Sequence, residues 1–238
     1  MNLDAVELDH IVAAEGASRL NLYADIHKGL RALLTDTLLA VGRMDPQDAA
    51  QVAATTTRVA RMLDQCAAHV VHEDRFVHPA IEARAPGTTR TVGAEHREHE
   101  QAIDALRALA ARVGTTPAPQ RAGVARVLYL QLSRFVAHNL EHMHTEETVH
   151  NAALWAHYTD AELEGIHDAL VATIPPEEMA QTMAWMLPSI SAPERAAMLG
   201  GMRAKAPAPA FEAVMGLVRT LLDEAQWQDL NRRLGTSA

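Results

Sequence analysis

Apolar residues recur every three or four positions along four long stretches of the chain, and short breaks separate these stretches. This spacing places the apolar side chains on one face of an α-helix. We expect Asp45 to cap the second helix, with Pro46 at its first position. Because the breaks are short, the helices should be antiparallel neighbours in an up-down-up-down four-helix bundle. In order, the stretches run from Ser18 to Val41, from about Pro46 to Arg84, from about Thr89 to Val113 and from about Pro119 to His157.

The composition changes after Trp155, where histidine nearly stops and Pro and Met become more frequent. Helix-start patterns at Thr159-Asp160-Ala161-Glu162 and before three later Pro-containing segments predict four to five short helices from 159 to 234. Their Met and Trp stripes are typical of core packing. The sequence therefore predicts an all-α chain with three parts, namely a leader at 1–17, a four-helix bundle at 18–157 and a C-terminal helical extension at 158–238.

Composition and charge narrow the class of protein. Aromatic residues make up only 4% of the 238 residues, which favours helices over strands. The net charge is −9 and no basic stripe is present, so nucleic acid is not an expected partner. A single cysteine, Cys66, excludes an internal disulfide. No apolar run reaches the roughly 18 residues that a membrane helix needs, and no signal peptide is evident, so we expect a soluble cytoplasmic protein.

Histidine is concentrated in the predicted bundle, where nine of the 13 histidines lie between His69 and His150. His142 and Glu146 are four residues apart, so they project from one face of the fourth helix. His69 and Glu73 repeat this spacing on the second helix. A carboxylate within an apolar stripe is costly unless it is paired or binds a metal. Two such pairs on two long apolar helices indicate a metal centre between the helices.

The first and third helices also carry histidine on their inner faces, namely His27 on the first and both His96 and His99 on the third. The interval from His27 to His69 is 42 residues, and that from His96 to His142 is 46, so each half supplies a similar set. His138 lies one turn before His142 and is expected beside it, outside the ligands. We assign no role to the histidines that fall off the predicted inner stripes, which are His72, His78, His144, His150, His157 and His167, and we expect His10 to be exposed.

Four imidazoles and two carboxylates are too many ligands for one tetrahedral zinc ion. If the six ligands divide between two ions and both carboxylates bridge, each ion receives two nitrogens and two oxygens. Mixed imidazole and carboxylate ligation suits iron or manganese, although ligand type alone does not fix the metal and zinc stays open. The alternative is that several of these histidines make ordinary hydrogen bonds in the core or at the surface.

The chain resembles the hemerythrin-like, HHE cation-binding family over roughly residues 20–157. The resemblance rests on four ordered motifs, which are Ile26-His27-Lys28-Gly29-Leu30, His69-x-x-x-Glu73 with Phe76-Val77-His78-Pro79, Glu95-His96, and His142-Met143-His144-Thr145-Glu146-Glu147. It implies a non-haem site of two oxygen-bridged iron ions. It prefers His96 over His99 as the ligand of the third helix, because His96 follows Glu95 as in the family pattern. His99 stays an additional candidate, either as a fifth imidazole ligand or as a neighbour outside the ligands. The implied ligands are His27, His69, Glu73, His96, His142 and Glu146.

We consider three functions, of which the first two are uses that the resemblance implies. The first is a binding or sensing module that takes O₂, NO or peroxide at an open metal position, for sensing, storage or detoxification. The second is an enzyme that degrades peroxide or repairs iron-sulfur clusters. The third is a structural metal site in an interaction protein. The inner stripes hold no separate acid or base beyond Tyr23 and His138, which favours binding of a small ligand and leaves enzyme activity open.

Overall fold

The computed structural model describes residues 19–235 together with Asp9 and Val12. The predicted leader at 1–17, including His10, otherwise lies outside the described residues. All regular elements within the described part are helical, so the all-α prediction with additional C-terminal helices is confirmed. Within that same part, no helix combines the length and the apolar character that crossing a membrane requires.

The four long helical runs agree closely with the predicted stretches. The second and fourth runs each contain a five-residue π-helical turn, at Glu73–Val77 and at Glu146–His150. The α-helices of these runs are α1 (Ala24–Arg43), α2 (Ala49–His72), α3 (His78–Arg84), α4 (Arg90–Thr115), α5 (Ala118–Thr145) and α6 (Asn151–His157).

The start of α2 differs from the prediction. Asp48, and not Asp45, caps the helix, because its carboxylate accepts hydrogen bonds from the backbone N–H groups of Ala50 and Gln51. Asp45 instead accepts a bond from the backbone N–H of Gln47 in the turn before the helix. An Asp before Pro suits such a turn as well as it suits a cap, so the sequence pattern alone did not distinguish the two.

The chain divides into two compact units, and α1 contributes to both. The first unit comprises 19–24 and 35–173 among the described residues. In it, α2 packs on α4 and α4 packs on α5. It also includes α7 (Asp160–Val171), where Thr159 and Glu162 form a capping box. The division between the units falls after Thr173, so the predicted boundary at 157 stays a prediction.

The second unit comprises 25–34 and 174–235 of the described part. Its C-terminal helices are α8 (Pro176–Ser189), α9 (Ala192–Lys205), α10 (Ala208–Leu221) and α11 (Glu224–Leu234). With α7 they make the five short helices at the upper end of the predicted number. A Cβ on Gly29 would lie 2.8 Å from the Cα of Met186, so only glycine allows this close approach of α1 and α8. The core includes Met183 and Leu187, as expected of a Met stripe that serves packing.

Candidate metal centre

Both helices with a His-x-x-x-Glu pair change from α to π geometry at the glutamate. A π turn bonds each residue to the fifth one along and so contains one extra residue, which shifts the buried face by one position. If the α-helical stripe through His142 and Glu146 continued unchanged, its next inner residue would be Val149, yet Val149 is 51% exposed and His150 is fully buried. Likewise, the stripe through His69 and Glu73 predicts Phe76 and Ala80 on the inner face, whereas the buried residues are Val77 and Ile81, one position later.

A buried cluster of two glutamates and two histidines lies in the first unit, where α2, α4 and α5 meet. The Nε2 atom of His96 is 3.4 Å from Glu73 Oε2 and 3.6 Å from Glu146 Oε1. The Nε2 atom of His142 is 3.3 Å from Glu146 Oε1 and 3.1 Å from His96 Nε2. One ligand atom from each of the four lies within 4.8 Å of the others, which is close enough to surround a metal ion.

His69 completes its predicted pair with Glu73, because its Nε2 lies 3.1 Å from Glu73 Oε1. Its side chain is 14% exposed and therefore lies at the edge of the cluster. His27 is fully buried on α1, in the 25–34 segment that belongs to the other unit. Its role as a ligand stays a prediction.

Two carboxylates orient the imidazoles of His142 and His96 by hydrogen bonds at Nδ1. The Nδ1–H of His142 donates to Glu95 Oε2 at 2.8 Å, and that of His96 donates to Asp74 Oδ1 at 2.8 Å. A carboxylate on Nδ1 fixes the tautomer and directs the Nε2 lone pair towards a metal. This role of Asp74 and Glu95 was not predicted from the sequence, although both residues lie next to a predicted ligand. Asp74 follows Glu73, and Glu95 precedes His96.

The cluster holds protons that a cation would displace. Burial opposes the charged form of His96, but hydrogen bonds to Glu146 and Glu73 outweigh it and raise its pKa to about 10. Burial also opposes the charge on His142, and hydrogen bonds to Glu146 and Glu95 likewise raise its pKa. Metal ligation needs the neutral imidazole, so metal binding must release protons here.

His99 and His138, the additional candidates, lie outside the cluster of two glutamates and two histidines. His99 packs edge-on against His142, with ring centres 4.7 Å apart, but belongs to no potential ligand group among the described residues. Burial, and then the charges of His142 and His96, lower its pKa to about 3. His138 is exposed and lines, with His99 and Phe135, a pocket of about 280 Å³ between α4 and α5. These positions favour His96 as the ligand on α4 and His99 as its neighbour.

The prediction that His78 and His150 lie away from the inner faces is wrong. They are 7% and 0% exposed, because His78 directly follows one π turn and His150 ends the other, and the α-helical period does not anticipate either turn. The ring of His78 stacks on that of His96 at 4.8 Å and meets that of His150 at nearly a right angle. Tyr23, also buried, places its hydroxyl oxygen 3.4 Å from His150 Nδ1. In the sequence, a further histidine comes after the glutamate of each His-x-x-x-Glu pair. This repeat was the signal that could have identified His78 and His150.

Comparison with known proteins gives one match. The family model described as hemerythrin HHE cation binding domain matches residues 19–154, which is more than half of the chain and contains all six predicted ligands. Neither the curated proteins nor the solved structures include a significant match.

Proposed function

Because the chain belongs to the hemerythrin HHE cation-binding domain family, we propose that it binds O₂, NO or peroxide at a pair of iron ions. The family binds cations, and the buried histidines and glutamates could hold a metal. The observation that supports a pair is the meeting of Glu73 and Glu146, 3% and 0% exposed, from two different helices. Two carboxylates buried together repel, and a shared pair of cations removes that repulsion.

The donor set fits iron. Glu73 and Glu146 would bridge the two ions, and His96 and His142 would bind one of them through Nε2. His69, with His27 as predicted from the sequence, would bind the other. Imidazole and carboxylate together suit iron or manganese better than metals that prefer thiolate. When bound, such a pair supplies open coordination positions and a reversible change of charge, which no protein side chain offers.

The protein's own residues would orient the ligands and control access. Asp74 and Glu95 fix the imidazoles of His96 and His142, so little reorganisation is needed when a small ligand arrives. The pocket beside His99 is lined by apolar side chains such as Leu106 and Phe135 and also by polar ones, among them Glu98 and Arg134. A small uncharged molecule can enter it without losing a strong hydration shell. His99, neutral because of its burial, would separate the pocket from His142.

The proposal is tested by metal analysis and spectroscopy of the iron-loaded protein. We expect two ions per chain and changes in the absorption spectrum when O₂, NO or peroxide is added. Iron binding should also raise the melting temperature, since the metal binds the folded state. A fully loaded chain that holds one ion would contradict the bridging role of Glu73 and Glu146 and favour a structural site.

A second candidate is an enzyme that consumes peroxide, and Tyr23 favours it. Burial, and then the charges of Glu73 and Glu146, raise the pKa of this phenol well above its usual value, so it stays protonated. A buried phenol that keeps its proton and lies beside His150 can donate a hydrogen bond to peroxide held next to the cluster. Tyr23→Phe should keep the metal content and lower peroxide turnover about tenfold, as expected when one hydrogen bond of about 1.4 kcal/mol to the reacting molecule is lost. Turnover that is absent in the wild type, or unchanged in the variant, would leave only the binding role.

A further inference from the structure

His78 and His150 form a second group of buried nitrogens beside the cluster. Their rings lie 5.3 Å apart, and the Nε2 atom of each is buried without a hydrogen-bond partner in the part of the chain that the structure describes. A buried imidazole nitrogen without a partner is costly. Two such atoms, one from each half of the bundle, point to a ligand that is shared between them.

The hydrogen bonds on the other side of each ring determine what that ligand can be. The Nδ1–H of His78 donates to Asp74 Oδ1 at 2.9 Å, as the Nδ1–H groups of His96 and His142 donate to Asp74 and Glu95. This bond leaves the Nε2 of His78 with a lone pair and no proton. In His150, the Tyr23 hydroxyl oxygen lies 3.4 Å from Nδ1 and can accept a hydrogen bond from Nδ1–H, which leaves the Nε2 lone pair equally free to bind a cation.

Glu146 supplies the negative charge that two neutral imidazoles lack. One of its carboxylate oxygens and one nitrogen from each of the two histidines lie within 4.8 Å of one another, and all three residues are buried. Two histidines and one carboxylate form the ligand set that holds a single divalent transition metal and leaves positions open on it. A carboxylate has two oxygens with about four lone-pair sites, so Glu146 can serve this group and the neighbouring cluster together.

We propose that His78, His150 and Glu146 hold an additional divalent transition-metal ion beside the iron pair of the proposed function. The site goes beyond that pair, because none of its imidazoles belongs to the ligand set that the family resemblance implies. Asp74 links the two sites, since its carboxylate supports both His78 and His96. The ion would offset the cost of burying two nitrogens and would lie next to the Tyr23 hydroxyl.

The test uses Zn²⁺ alone as the probe, on the full chain. His78→Asn and His150→Asn are suitable variants, because an asparagine amide can replace the Nδ1 hydrogen bond but not the Nε2 lone pair. His157→Asn, at an exposed histidine of α6, is the matched control. Equilibrium dialysis with metal analysis should show one Zn²⁺ per chain more in the wild type and in the control than in the double variant.

Crystals of the zinc-loaded protein locate each ion by anomalous scattering. We expect a peak about 2.0–2.1 Å from the Nε2 atoms of His78 and His150, the usual zinc–imidazole distance. Equal zinc content in the wild type and a folded double variant, or no peak at this position at saturation, would overturn the proposal. Peaks at the Glu73–His96–His142 cluster are scored separately. A failure of the proposed iron-pair site can therefore be distinguished from a failure of the His78–His150–Glu146 site.

Discussion

The two halves of the bundle reach the same site by the same device but support it differently. In each half, a His-x-x-x-Glu pair marks the end of an α-helix and a π turn begins at the glutamate. A buried histidine comes directly after the turn in the first half and is its last residue in the second. In the first half this histidine, His78, is held by Asp74, whose side chain is 47% exposed. In the second half, His150 lies beside the buried phenol of Tyr23.

The difference indicates separate roles for His78 and His150. His78 has a charged carboxylate behind its ring, that of Asp74, at a position where water can reach it. His150 has a neutral hydroxyl in the dry interior, that of Tyr23, which precedes α1 in the first half. The carboxylate increases the basicity of a nitrogen that binds a cation, whereas the phenol can donate a hydrogen bond to whatever the cation binds.

The largest expected effect comes from the glutamates. Glu146 belongs to two potential ligand groups within the first unit, with His96 and His142 and with His78 and His150, whereas Glu73 belongs to one of them. Both Glu73→Gln and Glu146→Gln should lose at least one ion, and Glu146→Gln should lose more. Each should weaken metal affinity by more than about 100-fold, the upper range for partners that only support a ligand. Metal analysis with circular dichroism would show this loss in variants that remain helical.

Glu141→Gln, at an exposed glutamate of α5, is the control and should bind as much metal as the wild type. Equal losses in the two glutamate variants would show that the halves contribute equally and would remove the asymmetry.

The helices and the main ligands could be predicted from the sequence, because both depend on the α-helical period. His69, Glu73, His142 and Glu146 lie at spacings of four residues, and the structure brings each pair together. His78 could not be predicted in this way. Its position depends on a π turn, which changes the period for five residues and leaves no apolar pattern of its own.

The supporting carboxylates also could not be predicted from the apolar period of the helices. Asp74 and Glu95 lie on the partly exposed sides of their helices, where acidic residues are common and carry no signal. Their role depends on which imidazole a neighbouring helix presents to them, and that is known only from the packing of α2, α4 and α5.

The next effect in size concerns these carboxylates. Asp74 supports two imidazoles, His96 and His78, while Glu95 supports His142 alone. We expect Asp74→Asn to lower zinc affinity towards the upper end of about 10- to 100-fold and Glu95→Gln towards the lower end. Competition with a chelator measures both affinities.

Asp104→Asn, at an exposed position of α4, should leave zinc affinity unchanged and serves as the control. A larger loss in Glu95→Gln than in Asp74→Asn would reverse the assignment of the stronger electrostatic support to the first half.

The smallest expected effect concerns the residues three positions before the two histidines, Cys66 and Asn139. Asn139 donates its amide N–H to the carbonyl oxygen of Phe135 at 2.8 Å, and the thiol of Cys66 contacts the sulfur of Met62 at 3.7 Å. Burial raises the pKa of the Cys66 thiol to about 12. Since the thiolate is the reactive form, labelling by a thiol reagent at pH 8 should be on the order of 1,000-fold slower in the folded protein than in denaturant.

Cys66→Ala should keep the full metal content and cost about 1 kcal/mol of stability, as expected of a small buried side chain. Rapid labelling of the folded chain, especially at a rate that changes with bound metal, would instead give Cys66 a redox role that its counterpart Asn139 cannot share.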